Sequence, residues 1–209
     1  MKLYYSPGAC SLAPHIALAE LGLPYTTKRV DLKTHTLADG SDYYAINPKG
    51  YVPVLELDDG TRLTEAAVIL QYIADRRPGT LAPAYGGMDR YRLMEWLNFI
   101  ATEIHKQFGP LWHPTTPDAT KDAQRATLAK RFEYVAKTLA AQPYLTGDAF
   151  TIADAYLFTM LNWAPMLKVD LAPWPALVEY AKRVAARPKV HATLAAEGLV
   201  KPARATATA

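Results

Sequence analysis

Cysteine is nearly missing from this chain, with Cys10 the single one in 209 residues, so no internal disulfide can form. An unpaired thiol of this kind suits a reducing compartment. Charge of one sign is also scarce: 23 basic and 20 acidic residues are well mixed and leave a net charge of only +3. There is no basic stripe to track a phosphate backbone, so nucleic acid is excluded as an expected partner. No apolar run approaches the length needed to cross a bilayer, and residues 1 to 20 lack the continuous apolar segment of a secretion signal. The expectation is a cytoplasmic protein with no membrane partner. No metal site and no internal repeat are expected either.

What is present begins with Leu3–Tyr5, a short apolar strand that turns through Pro7-Gly8 into a helix, with Cys10 at the junction. Unsatisfied N–H groups at a helix start carry positive potential and favour a thiolate. The competing reading is a small buried hydrophobe, because free cysteine is among the most buried residue types.

The first 80 residues mix two periods. Leu12, Ile16, Ala19 and Leu23 recur at helical spacing, with Gly22 and Pro24 as stops. Tyr25–Leu32 reads as a strand, and residues 33–48 read as loop or short helix. Val52–Leu57 and Thr61–Thr64 flank Asp58-Asp59-Gly60 as a hairpin, and a helix follows over Glu65–Arg76. Pro78-Gly79 and Pro83 to Gly87 then break the pattern, and only helical periods come after. One helix is predicted from Asp89 to Phe108, with Tyr91, Glu95, Asn98, Thr102 and His105 on a polar face. Thr151-x-x-Asp154 has the form of a reciprocal N-cap, Pro173-Trp174-Pro175 precedes another helix, and Gly198 reads as a stop.

The expected class is therefore α+β, with a layered first half joined to an all-helical bundle. The expected division is residues 1–80, a linker at 81–87, a helical domain at 88–200 and an unstructured tail at 201–209.

Four segments carry a resemblance. Lys2-Leu3-Tyr4-Tyr5-Ser6-Pro7-Gly8-Ala9-Cys10-Ser11-Leu12, Asn47-Pro48-Lys49-Gly50-Tyr51-Val52-Pro53, Leu63-Thr64-Glu65-Ala66 with Gln71-Tyr72, and Phe150-Thr151-Ile152-Ala153-Asp154-Ala155-Tyr156 together resemble a bacterial beta-class glutathione S-transferase, over about residues 1 to 200. The resemblance implies a thioredoxin-like N-terminal domain with a mixed four-stranded sheet, an all-α C-terminal domain, a homodimer, and reduced glutathione as co-substrate.

It also implies roles. Val52 before Pro53 would offer its backbone to the cysteinyl part of glutathione. Glu65 and Ala66 would hold the γ-glutamyl end, with Ala66 standing where many relatives carry serine and so lacking a hydroxyl contact. His35 falls near the expected position of the glycyl carboxylate, where it would make that contact pH-dependent. Asn98, Thr102, Glu103 and Lys106 would lie at the same site, with Glu103 serving the neighbouring subunit, and His105 would sit beside the sulfur. From pattern alone each has a plainer reading: Pro53 as a strand-start proline, Glu65 as a first-turn acid, His35 as a loop residue, the polar stripe as a solvated face.

Lowering a thiol pKa by two units takes roughly 2.7 kcal/mol, and a helix N-terminus supplies about 0.3–1 kcal/mol, at most about 2. His105 and the N–H of Leu12 or Ala13 are the expected sources of the rest. Tyr5 and Ser11 are the hydroxyl rivals to Cys10, as supporting groups. Trp112, Tyr156, Trp163 and Met166 are candidates for an apolar wall holding an electrophilic small molecule, or else for bundle core. The expected reaction adds the glutathione thiol to that electrophile, with Cys10 able to form a mixed disulfide with glutathione. The alternatives are a monothiol disulfide oxidoreductase and a non-catalytic carrier of apolar ligands.

Overall fold

The structure is a computed structural model that describes residues 1–202, so the expected tail lies outside it from residue 203 on. Five strands form one mixed sheet in the order β3-β2-β1-β4-β5: β1 (Lys2–Tyr5), β2 (Thr26–Asp31), β3 (Thr36–Leu37), β4 (Val54–Glu56) and β5 (Arg62–Leu63). β1 pairs parallel with β2 and antiparallel with β4, whose hairpin to β5 turns at Gly60 with a φ of 85°. Four of these strands match the sequence reading. The two-residue β3 and a 3-10 turn at Tyr43–Ala45 fill the stretch read as loop or short helix. The two residues of β3 carry too little periodicity to be seen alone, whereas the equally short β5 is marked by the Asp58-Asp59-Gly60 turn before it.

Alternation along the strands divides the sheet into two faces. Tyr4, Val30, Val52 and Val54 pack with Tyr43 on one side, whereas Leu3 and Leu55 join the main core on the other. That core includes α1 (Leu12–Leu21) and α2 (Ala66–Asp75) and continues into the helical half: α3 (Met88–Phe99), α4 (Lys106–Trp112), α5 (Asp118–Ala141), α6 (Ile152–Leu161), α7 (Pro175–Ala185) and α8 (Pro188–Ala196). α1 is buried on nearly every side, because α2, α6 and α8 all pack on it. A helix enclosed this way is apolar all round rather than amphipathic.

Polar clamps join the halves. Arg187 holds Glu20 through two bonds of 2.8 and 2.9 Å. Arg90, buried on α3, forks onto Asp75 at the end of α2 (2.8 and 3.1 Å). The cap of α6 forms as the sequence predicts: Asp154 accepts the Thr151 N–H and hydroxyl (both 2.8 Å), and its other oxygen accepts Leu145 N–H (2.9 Å) and Tyr180 O–H (3.1 Å).

The predicted single helix from Asp89 to Phe108 is not continuous. A π-helical segment, Ile100–His105, separates α3 from α4. Its wider turn shifts every later residue relative to a 3.6-residue projection. Tyr91, Glu95, Asn98 and Thr102 stay exposed, while His105 turns inward.

Candidate active site

The loop Ser6–Cys10 is fixed from three directions. Ser11, fully buried, accepts Ser6 N–H (3.2 Å) and donates to Ser6 C=O (3.3 Å), closing the turn. Trp163 Nε1 donates to the Gly8 carbonyl (2.7 Å), and Gly8 N–H donates to Glu197 Oε2 (2.8 Å). Glu197 Oε1 meets His15 Nδ1 at 2.7 Å. The helical half thus holds the loop that carries the thiol.

Cys10 precedes α1, and its Sγ donates to the Val52 carbonyl at 3.1 Å. In this geometry the environment favours the thiol over the expected thiolate. Residue 10 keeps some contact with solvent, but burial of the sulfur pushes its pKa up to about 12, with the Glu65 charge adding to the rise. The helix-start effect does operate, through the N–H groups of Cys10 and Ser11, and it is outweighed. The donors expected from the sequence, Leu12 and Ala13 N–H, are spent on the carbonyls of Ala9 (2.9 Å) and Cys10 (3.3 Å). Ser11 is likewise no support for the sulfur, since its hydroxyl is consumed by the Ser6 turn. Tyr5 packs its ring on His15 (5.7 Å) and gives Cys10 no bond.

The Val52–Pro53 bond is cis. Tyr43 O–H and Asn47 Nδ2 both donate to Tyr51 C=O (2.7 and 2.8 Å), which fixes the turn leading into it. Among the described residues the Val52 N–H donates to nothing. Its carbonyl holds only the thiol, so this stretch offers one free donor and one weakly held acceptor.

Glu65 caps α2 with a φ of 68°, a strained value for a residue with a side chain. Lys49 Nζ holds its carboxylate at 2.6 Å, and the carboxylate stays largely exposed. Ala66, next along, is buried, and among the described residues the Ala66 and Ala67 N–H groups have no acceptor. Free donors at a helix start form an anion site when a ligand has a reason to be there. His35 also has positive φ (53°) and stacks on Tyr44 at 4.6 Å. Among the described residues its buried Nδ1 has no partner, and it packs so closely on Gly50 that a Cβ there would lie 3.0 Å away.

From the helical half, His105 Nδ1 and the Tyr156 hydroxyl lie 2.7 Å apart, and the Trp163 ring stands edge-on to the imidazole at 5.1 Å. Burial lowers the His105 pKa to about 4, so the imidazole is neutral near pH 7 and is not the cation a thiolate would seek. The charge of Glu65 is felt by Cys10, His105 and Tyr156 alike, and the Cys10 thiol lies near enough to influence Tyr156. The start of α2, the Cys10 loop, the start of α4 and α6 therefore border one region.

Other predicted residues are placed differently. Thr102 turns its hydroxyl back onto Asn98 C=O (3.0 Å), and Glu103 pairs with Arg131 (2.7 Å). Asn98 and Lys106 are exposed. The suggested apolar wall divides: Tyr156 and Trp163 are buried and serve His105 and Gly8, while Trp112 (44% exposed) and Met166 (64%) reach solvent. Two surface hollows of about 320 and 540 Å³ flank α8, and neither is lined by Cys10, Val52, Glu65 or His105. Among the described residues no group of His, Cys, Asp and Glu could hold a metal ion. The sequence reading missed Glu197, whose long-range partners leave no local signal, and the Lys49–Glu65 pair.

A thioredoxin-like sheet carrying a cysteine beside a cis-proline, closed by a helical domain, defines a thiol-handling protein with a peptide-binding edge. Family descriptions match accordingly: "Glutathione S-transferase, N-terminal domain" over residues 8–76 and "Glutathione S-transferase, C-terminal domain" over residues 99–188. The glutathione S-transferase GstA of Escherichia coli O157:H7 is 50% identical over 201 residues, covering 95% of this chain and all of that one. A sphingomonad glutathione S-transferase solved with glutathione is 46% identical, with a TM-score of 0.91 over 96% of this chain and 100% of that one. The beta-class enzyme of Sphingomonas chungbukensis is 45% identical, with a TM-score of 0.92 over the same shares. The chain belongs to the glutathione S-transferase family, within its bacterial beta class. It is a transferase with glutathione as co-substrate.

Proposed function

We propose that glutathione lies along the edge formed by Val52, Glu65 and the Cys10 loop, and that its sulfur meets both Cys10 and His105. The observation carrying this reading is the Val52 backbone, with a free N–H and a carbonyl that holds only the Cys10 thiol. The cysteinyl segment of glutathione pairs there as an added strand would. In doing so it takes the Val52 carbonyl from Cys10 and frees the Cys10 sulfur for exchange. Attack of that sulfur on glutathione disulfide forms the mixed disulfide and expels one glutathione thiolate, which takes up the proton released by Cys10.

The γ-glutamyl carboxylate accepts from the free N–H groups at the start of α2, and its ammonium exchanges with Lys49 on Glu65. His35 lies toward the glycyl carboxylate, and Asn98, Thr102 and Lys106 border the site. In a homodimer Glu103 reaches the neighbouring site. Exposed Val68, Tyr91 and Tyr134, on α2, α3 and α5, supply apolar surface for that contact. The working division of the chain remains 1–80, 81–87 and 88–200. No described helix is long and apolar enough to cross a membrane, and we place the enzyme in the cytoplasm.

The electrophile is an apolar small molecule held near Trp112 and Met166. Catalysis is electrostatic and by proximity: the site stabilises the glutathione thiolate and orients it toward carbon. Intact-mass analysis after incubation with glutathione disulfide, alongside aryl-halide conjugation, tests the assignment. Cys10→Ala is expected to abolish the mixed disulfide. Conjugation unchanged in that variant would move the transfer chemistry to other residues.

A further inference from the structure

We infer that Tyr156 is a positioning residue that holds His105 as its Nε2–H tautomer, so that the imidazole meets the glutathione sulfur as a neutral hydrogen-bond donor. The inference rests on the reading above, in which that sulfur lies beside His105. Tyr156 is 2% exposed, and among the described residues its hydroxyl has one partner, His105 Nδ1 at 2.7 Å.

A phenol carries one proton, and a buried O–H without an acceptor is costly. The Tyr156 proton therefore goes to Nδ1, and Nδ1 must present its lone pair. A neutral imidazole has only one N–H. With Nδ1 bare, the hydrogen sits on Nε2, which has no partner among the described residues and is not sealed from solvent.

The ring is also fixed in direction. Tyr156 stands edge-on to it at 5.7 Å and Trp163 at 5.1 Å, and Trp163 is anchored on Gly8. The titratable groups bearing on the pair come from every side: the charged Glu65 from the start of α2 and Lys106 from the chain beyond His105, and the Cys10 thiol from the loop before α1. Glu65 favours a charged imidazole and Lys106 opposes it, while burial outweighs both and keeps it neutral.

The tautomer decides the chemistry. An Nε2–H donates to a thiolate and stabilises it. A bare Nε2 would repel the thiolate and act as a base toward a thiol. Tyr156 thus makes His105 a donor, and the thiol proton of glutathione leaves to solvent.

Nitrogen-15 NMR of the native enzyme reads the tautomer directly. A protonated-type Nε2 with an unprotonated-type Nδ1 is the expected result, and the reverse pattern overturns the proposal. The second measurement titrates bound glutathione by its ultraviolet thiolate absorbance. Tyr156→Phe keeps the ring and is expected to reduce the thiolate population roughly three- to tenfold at a fixed pH below the midpoint, the size one such hydrogen bond supplies. His105→Gln retains an amide donor in place of Nε2–H, so its titration is expected to become insensitive to Tyr156→Phe. An unshifted midpoint in Tyr156→Phe, with a shift in His105→Ala, overturns the role of Tyr156 alone. No shift in His105→Ala overturns the underlying placement of the sulfur as well.

Discussion

Alkylation of Cys10 in the ligand-free protein gives a quantitative test of its environment. Burial, with the Glu65 charge adding to it, holds the sulfur protonated and raises its pKa from 9.0 to about 12. Three units reduce the thiolate fraction at pH 7 by about a thousandfold relative to an unperturbed thiol. A more basic thiolate is also more nucleophilic: with a Brønsted slope of about 0.4–0.5, the remaining thiolate reacts roughly 16- to 32-fold faster. The net rate with iodoacetamide should therefore be about 30- to 60-fold below that of a free cysteine peptide at pH 7. It should rise about tenfold per pH unit without a plateau below pH 10. Stopped-flow alkylation followed by peptide mass mapping measures this on the single cysteine. A plateau at or below pH 8, or a rate above that of the peptide, would refute the reasoning, because it would mean that the helix-start N–H groups defeat desolvation.

Three further expectations follow from the same contacts. His105 binds its proton less readily in the folded state, so between pH 6.5 and about 4 the unfolded chain holds more protons and stability falls as pH drops. Denaturation of wild type and His105→Gln across that window should differ by up to about 3 kcal/mol at the acid end, and parallel curves would contradict the burial argument. Asp154→Ala removes the α6 cap and leaves Leu145 N–H without its acceptor, while Tyr180 O–H keeps the Asp154 backbone carbonyl (3.1 Å), at a combined cost of about 2–5 kcal/mol in urea unfolding. A loss under 1 kcal/mol would show that the network relaxes. Ala66→Ser adds a hydroxyl beside the free N–H groups of α2 and should lower KM for glutathione about two- to tenfold, as one ordinary hydrogen bond of about 0.5–1.5 kcal/mol would. A raised KM would place the γ-glutamyl end elsewhere.

Much of the architecture was legible in sequence because each signal was local. The Asp58-Asp59-Gly60 turn, the Thr151–Asp154 cap and the Gly22 stop act within a few residues of where they stand. What was not legible depended on distance or on solvation. Projection at 3.6 residues per turn placed His105 on a solvated face, and the π segment at Ile100–His105 rotated it inward. The position of Cys10 at a helix start suggested a thiolate, since the positive potential is readable locally. The opposing burial is set by the folded chain, which also brings the Val52 carbonyl, 42 residues away, onto the sulfur. Ser11 is adjacent to the sulfur in sequence, and its hydroxyl is taken by Ser6, a pairing that depends on the closed turn.

A structure of the enzyme with reduced glutathione tests the central claim most directly. The account predicts that the cysteinyl N–H and C=O pair with the Val52 backbone, that the Cys10 thiol gives up the Val52 carbonyl, and that the glutathione sulfur lies within hydrogen-bond reach of His105 Nε2. Glutathione bound away from this edge, with Cys10 still donating to Val52, would contradict it.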